Sequence, residues 1–196
     1  MTSLDIFMLV ASMLGGLTGK ELAQKDGAAV SLLSSANTAF GRMGKVAEKL
    51  LGMIHDIDNS EDKLTERDRR EIRLLGQAIF EILQLTIRGY NARIQNISRT
   101  IQYYTEEIMA LGNIIKSRFI QRVHEEGSQR TGSSLFTDIC YTEEQLIDYC
   151  DMIADALIRY DRECEGVSHS RTVDTELTRN QIHDIFRDKF EALEQE

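Results

Sequence analysis

Across 196 residues this chain contains no proline. Proline stops a helix more firmly than any other residue, because it lacks an amide hydrogen and its ring collides with the preceding turn. Without it, and with abundant Leu, Ile, Ala, Glu and Arg, the sequence predicts an almost wholly helical protein. Punctuation must then come from glycine and polar clusters. Five read as turns: "GGLTGKE" at 15–21, "DNSEDKLT" at 58–65, "GYNAR" at 89–93, "EEGSQRTG" at 125–132 and "ECEGVSHS" at 163–170. The apolar residues between them recur with helical period. They place helices at 3–14, 21–57, 65–89, 93–125, 133–162 and 173–194. Thr65 with Asp68 approximates a capping box at one of these starts. Several helices exceed 25 residues, so neighbours must pack side by side over many turns. The expected fold is all-α: a bundle of long antiparallel helices.

Composition narrows the function. The net charge of −9 opposes a nucleic-acid partner, since neutralising phosphates needs a basic face. The basic run Arg67, Arg69, Arg70 is interleaved with Glu66, Asp68 and Glu71 and reads as a solvated helix start. Cys140, Cys150 and Cys164 form no CxxC pair, which fits a reducing cytoplasm better than a disulfide framework. The opening "MTSLDIFMLVASMLGGL" is too short to span a bilayer, carries Asp5 and lacks the basic lead of a signal peptide. The expectation is a cytoplasmic chain. No histidine follows a glutamate by three residues, as a di-iron carboxylate bundle requires. His55, His124, His169 and His183 are scattered, and Cys140 and Cys150 have no histidine nearby in sequence. Cys140 and Cys150 read as small core residues, and no enzyme is expected.

One helix carries a candidate site. Glu144, Asp148, Asp151 and Asp155 stand at spacings of four, three and four and fall within an arc of about 60°. Leu135, Ile139, Leu146, Cys150, Ile153 and Leu157 occupy a separate arc whose phase never breaks. Thr142 and Gln145 therefore do not start a new helix, although they resemble a capping box. Like charges one turn apart oppose helix formation slightly. The column is either a solvated face or a hard-cation site in which carboxylate oxygens bridge a metal; periodicity does not separate the two.

The segment "RFIQRVHEEGSQRTGSSLFTDICYTEEQLIDYCDMIADALIRYD" at 118–161 resembles the last repeat of PhoU-like domains, and in particular the cytoplasmic tail of bacterial sodium/phosphate cotransporters. Those domains show a His-Ile-x-Arg-Leu segment, a glycine-bearing turn and a long helix carrying Glu-x-x-x-Asp. Here Ile120, Arg122 and Val123 hold the first segment, with Phe119 in place of the usual His, and Asp138, Glu144, Asp148, Cys150, Ile153 and Ala154 follow in register. "LTERDRREIRLLGQAIFEILQL" and "YYTEEIMALGNIIKSRFIQRV" resemble the other helices of that repeat, and "SRTVDTELTRNQIHDIFRDKFEAL" the closing helix of the cotransporter tail. Upstream, "NTAFGRMGKVAEKL" is similar to the long helix of the first repeat. A shift of 103 sets Ser31, Leu32 and Leu33 on Ser134, Leu135 and Phe136, and Gly41 and Lys45 on Glu144 and Asp148.

The resemblance implies residues 1–57 as a remnant of a first repeat, 58–165 as a second three-helix repeat and 166–196 as an amphipathic closing helix. It also implies a domain at the inner face of the membrane that adjusts phosphate uptake through contacts with a membrane phosphate transporter, on the same or a separate polypeptide. Such domains hold iron or zinc clusters on paired Glu-x-x-x-Asp motifs. Lys45 would repel a metal at the first motif, so Glu144 and Asp148, with Asp151 or Asp155, would keep at most one weakly held divalent or iron ion. The remaining ligands would have to come from Glu106, Glu107 or another chain. The alternatives are a metal-binding helical protein built on that acidic stripe, and a structural bundle forming a homodimer through "LDIFMLVASML". The segment around Ile6, Phe7, Leu9 and Met13 is expected to cover the opening left by the truncated first repeat.

Overall fold

A computed structural model of the chain describes residues 24–59, 64–92, 95–126, 133–160, 162 and 177–194. They form five helices: α1 (Gln24–Asn59), α2 (Glu66–Ala92), α3 (Gln95–Glu126), α4 (Ser133–Tyr160) and α5 (Arg179–Glu194). There is no strand among the described residues, as the absence of proline and the helical periodicity led one to expect. None of the described helices is long and apolar enough to cross a membrane. The expected helix at 3–14 lies outside the described residues.

The ends of the helices follow from local chemistry. At the head of α2 the Asp68 amide donates to Thr65 Oγ1 at 3.2 Å, while Asp68 Oδ2 accepts from the Thr65 amide at 3.0 Å and its hydroxyl at 2.6 Å. Two helix-end donors are thereby satisfied reciprocally. α5 starts at Arg179 rather than near 173, because Thr178 and Gln181 form a second reciprocal cap: the Thr178 amide donates to Gln181 Oε1 at 2.8 Å and the Gln181 amide to Thr178 Oγ1 at 3.3 Å. α4 runs unbroken through Thr142, whose hydroxyl donates back to the Asp138 carbonyl at 2.7 Å instead of capping anything. Near its end α2 comes close to the start of α3: Gly89 permits this approach, since a Cβ there would lie 2.7 Å from Ile97 Cγ2.

α4 is the hub. It packs against α1, α2 and α3, α2 packs on α3, and α5 lies along α3. The core on α4 is the arc read from sequence: Ile139, Leu146, Cys150, Ile153 and Leu157 are buried, and Leu135 is half-buried. Met43 is buried, and Met53, Met109, Tyr103 and Tyr104 pack partly buried against the same core. α3 and α4 meet through Phe119 and Phe136, stacked with ring centroids 3.8 Å apart. Most of the apolar face of α5 is taken up by the protein's own bundle: Ile182, Phe186 and Leu193 are buried, Phe186 meets Tyr104 edge-on at 5.5 Å, and Ile185 remains exposed. α1 and α2 both lean on α4 but hardly touch each other; Phe40 and Tyr90, edge to face at 4.8 Å, are a point where they meet.

Candidate functional site

The acidic column sits on α4 where periodicity put it, at the margin of the contact with α3. Its four members have different surroundings. The Glu144 carboxylate is about a quarter exposed and pairs with the Lys116 ammonium across from α3. Asp148 and Asp151 are exposed and line a shallow 490 Å³ cleft between α3 and α4, which Glu106, Tyr103 and Met109 also line. Burial, then the like charges of Asp155, Asp148 and Glu106, raise the Asp151 carboxyl above its ordinary value. Asp155 is exposed and stands 4.0 Å from Arg159 on its own helix. Of the two expected helpers, Glu106 reaches the cleft and accepts from Arg179 Nη2 at 2.5 Å, while Glu107 turns to His183 Nδ1 at 3.0 Å. Among the described residues no three His, Cys, Asp or Glu side chains converge closely enough to hold a metal ion. At the first-repeat positions, Gly41 is half-buried and Lys45 is exposed.

A second set of charges is buried, and sequence reasoning placed it wrongly in solvent. Asp68 and Glu71, at the start of α2, have only 0% and 1% of their surface exposed. Arg122 from α3 explains this. Its Nη2 donates to Asp68 Oδ1 at 2.8 Å and also to Glu71 Oε2, and its Nη1 donates to Glu71 Oε1 at 2.9 Å. Burial pulls the guanidinium down, but the bonds to Glu71 and Asp68 outweigh it, so Arg122 holds its proton more tightly than usual. A planar fork meeting a carboxylate in this way gives geometry as well as attraction. Arg67 Nε adds a longer 3.6 Å approach to Glu71. Asp68 thus serves two partners, capping α2 with one oxygen and binding α3 with the other.

Glu143 is the other residue that sequence reasoning missed. It is 1% exposed, and its Oε2 has no hydrogen-bond partner among the described residues. Burial, and next the charge of Glu144, push its carboxyl up to about 8. A signal for it was present: Glu143 stands four residues after Ile139 and three before Leu146, in phase with the apolar arc. It forms part of the floor of a groove of about 870 Å³ between α1 and α2. The groove is walled by Ala47, Leu50 and Ile54 from α1 and by Ile72, Ile79 and Leu83 from α2. Leu51, Ile54 and Phe80 are exposed at its rim. The buried thiols nearby are inert as nucleophiles: burial drives Cys140 far above the ordinary thiol range and Cys150 up to about 11. No protein-family model matches the chain, and neither the curated proteins nor the solved structures contain a match.

Proposed function

We propose that the chain is a PhoU-like helical regulatory domain that works with a sodium-driven phosphate transporter at the inner face of the membrane. The support is the sequence likeness along 118–161, together with what its residues do in the bundle. Phe119 of α3 stacks on Phe136 of α4, and Arg122 ties α3 to the first turn of α2. Among the described helices, a mutually packed unit α2–α3–α4 with the long helix α1 against α4 supports the reading of one repeat and the remnant of another. The mechanism is conformational. The bundle contacts the transporter through its helix faces, and its effect equals the difference between its affinities for the transporter's states. Ile87, Ile114 and Ile120 are exposed and available for such contact.

The direct test is association. The purified chain is mixed with the detergent-solubilised membrane region of a sodium/phosphate cotransporter encoded with it or beside it, and the mixture is run on a sizing column. Co-elution at micromolar concentration is expected. Separate elution at every concentration up to about 100 μM, weaker than roughly −5.5 kcal/mol of binding free energy, would remove the basis of the proposal.

A further inference from the structure

The α1–α2 groove goes beyond the regulatory reading and stands on separate observations. Its volume of about 870 Å³ lies in the range of small-molecule sites. Such sites combine apolar walls with a few convergent polar groups, and here the buried one is Glu143, whose Oε2 has no hydrogen-bond partner among the described residues; Arg69, Arg73, Gln77 and Glu81 also line the groove. Leaving a buried acceptor unpaired carries the full cost of its desolvation. We propose that this groove binds a monoamine with an apolar body, its protonated amino group on the Glu143 carboxyl and its hydrocarbon part along α1 and α2.

The surroundings select this chemistry over others. Glu144, the nearest like charge, is turned away to Lys116, so an incoming cation meets Glu143 without that competitor. Arg69 and Arg73 line the groove where α2 begins and disfavour a second positive charge there, while Glu81, farther along the groove, is already paired with Lys189 at 3.0 Å; together they separate a monoamine from a polyamine. Gly76 lines the groove beside the carboxyl: a Cβ there would stand 3.5 Å from Glu143 Oε1. Leu50, Ile79 and Leu83 supply the apolar walls for the hydrocarbon part.

The test compares n-octylamine, n-octanol and spermidine by calorimetric titration at pH 8, with the full chain and two variants. Octylamine should bind about tenfold or more tighter than octanol, the margin of a charge-assisted bond over a neutral one. Glu143→Gln should erase that margin while leaving octanol binding unchanged. Gly76→Ala adds a methyl at ordinary contact distance, so it should fold normally and weaken octylamine several-fold without affecting octanol. Equal binding of amine and alcohol, unaltered octylamine binding in Glu143→Gln or in Gly76→Ala, spermidine binding as tightly as octylamine, or no saturable octylamine binding up to millimolar concentration would each overturn the proposal.

Discussion

Replacing Arg122 with methionine removes the cation that lets Asp68 and Glu71 be buried, while keeping a side chain of similar reach. Both carboxylates would stay out of water, with the partly exposed Arg67 3.6 Å from Glu71. Removing one partner of a buried ion pair costs about 3–5 kcal/mol. Loss of the Arg122 guanidinium from above the Phe119 ring, now 5.9 Å away, adds about 0.5–1 kcal/mol. A domain of ordinary stability has about 5–15 kcal/mol to lose. With a urea dependence of roughly 2 kcal/mol per molar, the unfolding midpoint at pH 7 should fall by about 2 M. The companion is the triple variant Arg122→Met, Asp68→Asn, Glu71→Gln, in which no charge is stranded. It should recover more than half of the loss, because a buried ion triad replaced as a whole is often close to neutral. Arg122→Lys should fall between, since one ammonium cannot reproduce the fork to Glu71. A loss below about 1 kcal/mol in Arg122→Met, or a triple variant no more stable than the single one, would refute this account of the triad.

Other expectations follow from the same geometry. Glu143 titrates near 8 in the folded protein against an ordinary value of 4.5, so its contribution is fully present below 4.5 and is lost as pH rises through 8. Glu143→Gln should therefore match the parent chain near pH 4.5 and exceed it by a few kcal/mol at pH 9, read from urea midpoints; a pH-independent difference would contradict this. Ile153→Ala should cost about 2–5 kcal/mol, since Ile153 is fully buried on the hub helix, and thermal melting would show it. Glu144→Gln breaks a partly exposed pair with Lys116 and should cost less than about 1 kcal/mol. Melting with and without a chelator checks the acidic column: an unmoved midpoint is expected of a solvated face, and a marked fall would reveal a bound ion.

What was legible in the sequence was whatever depended on period and local caps. The apolar phase through Ile139, Leu146 and Ile153 identified one continuous helix and its buried face, and overruled the false cap at Thr142. The cap at Thr65 and Asp68 was readable because both partners lie within four residues. The cap at Thr178 and Gln181 carried the same pattern, but the apolar periodicity ran past it and drew the start of α5 several residues too early. The Arg122 triad was not readable, because Arg122 stands more than 50 positions from Asp68 and Glu71, and a charge run near a helix start looks the same whether solvated or paired from another helix. Glu143 was obscured by its acidic neighbour Glu144, although its phase matched the core. The site residues showed the same limit. Period placed Glu144, Asp148, Asp151 and Asp155 on one face, yet which of them met a cation depended on Lys116 arriving from α3.

The central claim concerns transport, and sodium-driven phosphate uptake tests it most directly. Membrane vesicles carrying the cotransporter encoded with or beside this chain would be loaded with labelled phosphate under a sodium gradient, with the helical domain present on the inner side or absent. The account predicts that its presence changes the initial uptake rate several-fold, and that the destabilised Arg122→Met variant loses this effect at temperatures where it is unfolded. Identical uptake with and without the folded domain would contradict it.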